Sequence, residues 1–264
     1  MKLHFQSCYL DRPIVNGRVY DLFVPENVTK DTAVFFVHGG GWNAGSRTVK
    51  HFFCELLNDL GYICATTDYR LNVNAFEQLH DIRESYDDFI SYLKANDRPL
   101  KIAVQGSSAG AHLGGMLSLS KPGEVPGEPK ATLANEWVIP ECAILQATPM
   151  SFEPWDEIFP HGWTSMQKAV GASWKEHPEM YRALSPRQYL SKDNPRIFFM
   201  EAECEHMFPA FINREFMEKQ QKLGIASIMK TYPMAEHGFL YSLDRKCQRQ
   251  AWQDFLAFIE GKLQ

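Results

Sequence analysis

Gly106-Ser107-Ser108-Ala109-Gly110 decides the fold of this chain. The apolar run Ile102-Ala103-Val104 before it predicts a buried strand. Ala111-His112-Leu113-Gly114-Gly115-Met116-Leu117 after it is small and apolar at helical spacing. Strand, tight turn, helix is the context in which a G-x-S-x-G sequence forms a nucleophile elbow. Glycines at both ends let the backbone turn without a Cβ clash. The turn exposes the middle residue, so Ser108 rather than Ser107 is expected to present its hydroxyl at the top of a sheet.

Working outward, His38-Gly39-Gly40-Gly41-Trp42 follows the strand-length apolar run Ala33-Val34-Phe35-Phe36-Val37. Glycines allow backbone N–H groups to approach an oxygen closely, and fixed donors stabilise negative charge that develops there. The expected donors are Gly40 and Gly41, with the Ala109 N–H at the start of the helix. His38 is expected to support the loop. Near the other end, Glu236-His237-Gly238-Phe239 follows the strand-like run Ser227-Ile228-Met229-Lys230-Thr231-Tyr232. A serine nucleophile needs a base to take its proton and return it to the leaving group. Histidine titrates nearest neutrality and suits both directions, which makes His237 the candidate base.

Together with Asp68-Tyr69-Arg70-Leu71, these motifs resemble the α/β-hydrolase superfamily. More narrowly, they are similar to the HGGG-bearing carboxylesterases related to hormone-sensitive lipase and to bacterial feruloyl and acetyl-sugar esterases. The four motifs spread from residue 38 to 239 in the family's order. The resemblance implies an α/β fold: a mostly parallel eight-stranded sheet flanked by helices, with a Ser-His-acid triad in the chain order Ser, acid, His. Relatives carry a Gly-Glu-x-Asp-His-x-x-Pro-like segment, and Ala202-Glu203-Cys204-Glu205-His206-Met207-Phe208-Pro209 lies over it. Two positions depart, Ala202 for Gly and Glu205 for Asp. Glu205 takes the place of the acid, with Glu203 as its rival.

The implied activity is hydrolysis of short-acyl or compact carboxylic esters, such as acetyl or feruloyl esters of carbohydrates, without a cofactor. An aryl-formamide or amide hydrolase using the same site, and a non-catalytic ligand-binding homologue, are the alternatives. Few residues precede the strand at 33, too few for the large N-terminal cap of hormone-sensitive-lipase relatives, so an open pocket is expected.

Composition agrees with a single domain over residues 1–264, since 264 residues can bury a substantial core. A net charge of −5 without a block of like charge speaks against nucleic acid as a partner. No apolar run is long enough to cross a bilayer. The opening Met1-Lys2-Leu3-His4-Phe5-Gln6 lacks an apolar signal core, and the expected setting is cytoplasmic. The six cysteines show no C-x-x-C spacing and read as reduced, mostly buried thiols. Glu205-His206 has no third or fourth ligand at a metal-site spacing, so no metal is expected. The expected partner is a small-molecule ester, bound by a monomer or homodimer.

Strands alternate with helices. Val15-Asn16-Gly17-Arg18 signals a turn between two short N-terminal strands, the second at 19–24. Further strands are expected at 62–67, 142–145 and 197–200, and helices at 47–60, 76–95 and 244–260. Asp68 and Arg70 are expected to hold the loop after their strand. Asp87 and Asp88 read as a solvated helix face, and residues 121–130 as an exposed turn-rich loop. The stretch 147–192 is long for a plain connection and reads as a small helical lid inserted before the seventh strand. Among its aromatics, Trp155 and Trp163 are candidates to line the pocket, as is Trp42; the competing reading is that they pack among themselves. His112 is expected to pack within its helix.

Overall fold

The computed structural model describes residues 5–11 and 13–263, so the reading of Met1-Lys2-Leu3-His4 lies outside the described residues. Eight strands form one sheet: β1 Phe5–Tyr9, β2 Val19–Phe23, β3 Thr32–Val37, β4 Cys64–Thr67, β5 Lys101–Ser107, β6 Cys142–Gln146, β7 Arg196–Cys204 and β8 Ile228–Glu236. Their order is β1-β2-β4-β3-β5-β6-β7-β8. β2 runs antiparallel to both of its neighbours, and every other pairing is parallel. This is the mostly parallel eight-stranded sheet that the motifs implied.

Parallel strands are covered on both faces, so they read as continuous apolar runs. In β3, Val34 and Phe36 pack on one side with Phe53 and Leu57 of α1 His51–Asp59 and Phe255 and Phe258 of α7 Lys246–Ile259. Phe35 and Val37 face the other way, onto α2 Ala75–Ala95 and α3 Ala109–Leu119. The α2/α3 layer continues under β6 and β7, where Leu145 and Phe199 meet Phe216 of α6 Ala210–Lys222. The helix expected at 47–60 begins as a 3-10 turn, Arg47–Lys50, before α1. α2 starts where the Asn74 side chain accepts the Glu77 N–H (3.1 Å), an N-cap bond.

Topology places the functional end of the molecule. From β3 the chain moves outward to β4, then returns to the other side of β3 with β5 and proceeds to β6. The reversal between β3 and β5 opens a crevice at the carboxyl ends of the strands, where ligands of open α/β sheets bind. The register Val37↔Gly106 brings the glycine loop and the serine elbow out of the sheet side by side. Asp68 secures the loop after β4 by accepting from Arg47 N (2.6 Å) and pairing with the Arg47 guanidinium, while Arg70 pairs with Asp81 (2.9 Å).

Two surface readings need correction. Asp87 accepts from Ala134 N (2.6 Å) and Asn135 N (3.2 Å), and Asp88 accepts from Tyr20 Oη (2.8 Å). Asp87 is thus covered by residues 131–137, whereas Asp88 stays exposed, as expected, with the Tyr20 hydroxyl beside it. The loop at 121–130 is exposed over most of its length but anchored at Val125 and Glu128. Glu128 pairs with Arg83 of α2 at 2.5 Å, both side chains being almost fully buried. The Arg83 guanidinium also donates to Ser120 O and Oγ, each at 2.9 Å. Cys54, Cys64, Cys142 and Cys247 are buried, Cys8 is half-buried and Cys204 exposed. No helix among the described residues is long and apolar enough to cross a membrane.

Removing one partner of a buried ion pair leaves the other charge uncompensated, at a cost of about 3–5 kcal/mol. Glu128→Leu is therefore expected to lower the unfolding free energy by about that amount in a denaturant titration. Lys130→Ala, on the exposed part of the same loop, should stay within about 0.5 kcal/mol of the parent. Equal effects would contradict the anchoring role of Glu128.

Candidate active site

Ser108 stands between β5 and α3 with φ 55° and ψ −122°, a left-handed conformation that costs a non-glycine residue energy and persists only under constraint. The constraint is the packing of its flanking glycines. A Cβ on Gly106 would lie 2.1 Å from Gly110 O, and one on Gly110 would lie 2.3 Å from Val37 O. Only glycine permits either approach, and together they fix the elbow against the end of β3.

His237 reaches Ser108 from the far edge of the sheet. The pairing Cys204↔Glu236 makes the next residues, Glu205 and His237, leave β7 and β8 together. His237 Nδ1 lies 2.9 and 2.8 Å from Glu205 Oε1 and Oε2, and Nε2 lies 2.9 Å from Ser108 Oγ. Since Nδ1 faces only carboxylate oxygens, it carries the proton and donates. Nε2 is then free to accept from the serine hydroxyl. Glu205 Oε1 also accepts from Met207 N (2.8 Å) and Phe208 N (3.4 Å). Burial pushes the Glu205 carboxyl up, but the hydrogen bond and charge of His237 and the two backbone N–H groups outweigh it and hold the group below its ordinary value. Glu203 points elsewhere and accepts from Met234 N (2.9 Å).

The glycine loop is held from behind. Buried His38 donates from Nδ1 to Gly39 O (2.7 Å), stacks on Tyr69 with ring centroids 4.3 Å apart, and its carbonyl accepts from Tyr69 Oη (3.0 Å). Gly40 O accepts from Asn43 N and Ala44 N, which closes the turn. Among the described residues, the N–H groups of Gly40 and Gly41 have no acceptor, and both glycines line the cavity at Ser108. Ala109 opens α3, so its N–H lacks an acceptor within the helix. These are the three donors expected from the sequence, and they border the serine.

The cavity beside Ser108 has a volume of about 500 Å³, within the range of small-molecule sites. Its outer wall is α4 Pro160–Val170, which with α5 Pro178–Ala183 and a 3-10 turn, Pro186–Tyr189, makes up the helical part of the segment between β6 and β7. His161, Thr164, Ser165 and Lys168 of α4 face the cavity. Trp163 lies on the opposite side of the same helix, 5.5 Å from the ring of Tyr181, and Trp174 is 5.4 Å from Tyr181. Trp155 packs near Phe208 (6.4 Å). Trp155 and Trp163 are therefore not lining residues: helical periodicity turns Trp163 toward the lid's own core. Trp42 does line the cavity, yet the residue is only 3% exposed. It donates from Nε1 to His112 Nδ1 (3.1 Å) and packs edge-on to Phe152 at 5.1 Å. Burial pushes His112 down to about 3, so the ring is neutral; its Nε2 donates to Leu184 O (2.7 Å). His112 thus fastens the lid to α3 and to the glycine loop.

Sequence reasoning missed Gln146, the last residue of β6. Its carbonyl accepts from Ser108 N (2.9 Å). Its side-chain amide donates to Ser107 Oγ (3.0 Å) and accepts from Phe239 N (3.2 Å) and Leu240 N (2.9 Å). One buried side chain therefore joins the serine elbow to the histidine loop. No local pattern marks it, because the pairing Ser107↔Gln146 arises only when the sheet forms. Met207 and Phe208, in the segment that carries Glu205, form a second wall of the cavity.

Comparison with known proteins finds a matching family model and several similar esterases. Residues 20–219 match the family model described as BD-FAE. The chain is 25% identical over 244 residues to Esterase LipQ of Mycobacterium tuberculosis, covering 86% of this chain and 55% of that protein. It is 24% identical over 237 residues to an acetylxylan esterase of Xylanibacter ruminicola, covering 88% and 46%. The chain spans about half the length of these curated relatives. In fold it is similar to the butyrate-bound thermophilic esterase Est2 of Thermogutta terrifontis, with TM-score 0.74, 21% identity and coverage of 98% and 95%. The fold is that of the α/β-hydrolases.

A serine hydrogen-bonded to an imidazole reacts with a fluorophosphonate far faster than an ordinary hydroxyl. The probe is expected to label the parent protein and Ser107→Ala, to leave Ser108→Ala unlabelled, and to react at least about 10-fold more slowly with Gln146→Leu. Labelling of Ser108→Ala at the parental rate, read by intact-mass spectrometry, would contradict the geometry.

Proposed function

The chain belongs to the BD-FAE family, and from that premise we propose that it is a serine carboxylesterase acting on short-acyl or compact esters. Acetyl or feruloyl esters of carbohydrates are the substrates that the resemblance and the acetylxylan esterase relative favour. The observation that carries the proposal is the unbroken line Glu205–His237–Ser108, with links of 2.8 and 2.9 Å, beneath two glycine N–H groups that have no acceptor among the described residues. The proposed unit is one α/β-hydrolase domain whose lid spans residues 147–192.

In this mechanism Ser108 Oγ attacks the ester carbonyl carbon while His237 Nε2 takes the hydroxyl proton. The carbonyl oxygen becomes an oxyanion and accepts from Gly40, Gly41 and Ala109 N–H; one such donor is commonly worth about 10²–10³ in kcat. The imidazolium is stabilised by the Glu205 carboxylate, which orients the ring and remains ionised throughout. His237 passes its proton to the departing alkoxide, and the alcohol leaves an acyl-Ser108. Water, deprotonated by His237, then attacks the acyl carbon, and the returning proton restores Ser108. Each step is neutral overall and needs no metal or cofactor.

The assignment of the acid is tested by Glu205→Gln and Glu203→Gln with p-nitrophenyl acetate. Glu205→Gln is expected to lose about 10²–10⁴ in kcat, because an amide can present its N–H to Nδ1 and favour the wrong tautomer. Glu203→Gln should retain activity within a few-fold; collapse of Glu203→Gln alone would overturn the assignment. The acid limb of log kcat/KM against pH gives a further check. Glu205 is held below its ordinary value, so its carboxylate stays ionised at a pH where an ordinary glutamate begins to protonate. Activity should fall with acid along a single-proton slope. A two-proton slope would mean that the carboxylate titrates too.

A further inference from the structure

The charge of the cavity is opposite to that of the whole chain. The chain carries a net charge of −5, yet among the described residues no Asp or Glu lines the cavity at Ser108. Lys168 does, from the last turn of α4. Among the described residues, no hydrogen bond, ion pair or ring contact engages the Lys168 side chain. Lys168 is exposed at the open rim of the cavity, and an ammonium without an acidic partner there attracts an anion.

The orientation of α4 tells which part of a substrate it meets. Near its start, a Cβ on Gly162 would lie 3.7 Å from Met207 Cε, beside the segment that holds His237. One turn on, Ser165 Oγ would lie 3.8 Å from a Cβ on Gly41, above the oxyanion donors. Lys168 follows at a further rise of about 4.5 Å, away from His237. The leaving oxygen must lie at His237 Nε2 to receive its proton. The alcohol therefore belongs at the start of α4, and the acyl group extends toward Lys168.

We infer that Lys168 binds a carboxylate at the far end of the acyl group, so that the preferred substrates are half-esters of short dicarboxylic acids. The inference rests on the esterase reading above and narrows its acyl specificity. The carboxylate accepts hydrogen bonds from Nζ, and the Ser165 hydroxyl on the same helix face adds a neutral donor. Because the cavity is open to solvent, salt weakens the preference.

The test is the ratio of kcat/KM for monoethyl succinate to that for its uncharged isostere, ethyl 4-methylpentanoate, measured by pH-stat. The ratio is expected to fall about tenfold in Lys168→Met, the scale of one charge-assisted hydrogen bond. It should not fall in Lys175→Met, an exposed lysine whose loss changes net charge equally. An unchanged ratio in Lys168→Met, or equal falls in both variants, would overturn the inference. So would a Lys168-dependent preference for acetoxyacetate over isobutyl acetate without one on the acyl pair, since that places the anion on the alcohol. A parent protein that hydrolyses p-nitrophenyl acetate but neither acyl-variant ester refutes this inference alone. One that hydrolyses no ester refutes the esterase reading as well.

Discussion

The structure depends on one close approach of backbone to backbone. The elbow after β5 sits so near the end of β3 that a Cβ on Gly110 would meet the Val37 carbonyl, and one on Gly106 would meet the Gly110 carbonyl. This contact forces Ser108 into its left-handed conformation and fixes the distance between its hydroxyl and the glycine loop. It works because β3 and β5 are neighbours at the place where strand order reverses. Hydrogen-bond register and close-packed glycine thus set the geometry before any side chain of the site is considered. Preorganised donors of this kind do not have to reorient as charge develops.

The remaining groups are attached to that fixed point from three directions. His237 comes from β8, three strands away from β5 in the sheet, and its loop is tied back to the elbow through the Gln146 amide. Glu205 comes from β7, where backbone N–H groups of Met207 and Phe208 fix its carboxylate. The lid is fastened through His112, whose two ring nitrogens serve Trp42 and Leu184. Each attachment uses a hydrogen bond in a buried or half-buried setting, where leaving a donor or acceptor unpaired is expensive. That cost holds the histidine in line with the serine, even though 129 residues separate them in sequence.

What the sequence made legible follows from this physics. Ser108, His237 and the glycine loop were readable because each is a short contiguous segment whose backbone demands particular residues. The buried strands were readable as apolar runs. Glu205 was reached through a resemblance, and the register Cys204↔Glu236 then explains why it, rather than Glu203, meets His237. Gln146 was not readable: a single polar residue ending an apolar strand looks like a strand terminus until its neighbours in the sheet are known. Asp87 misled because helical periodicity describes one helix and is blind to residues 131–137, which cover that position while its neighbour Asp88 stays exposed. Trp155 and Trp163 misled for a related reason. Aromatic content suggested a binding wall, whereas the small polar residues of α4 face the cavity and the aromatic ones fill the lid.

The most direct measurement of the central claim is a crystal structure of the protein after reaction with a fluorophosphonate, whose phosphonyl oxygen stands in for the oxyanion of the tetrahedral intermediate. The account requires a covalent bond from Ser108 Oγ to phosphorus, with the phosphonyl oxygen about 2.7–3.1 Å from the N–H groups of Gly40, Gly41 and Ala109. An adduct whose oxygen points away from those three N–H groups, or a bond to any residue other than Ser108, would contradict it.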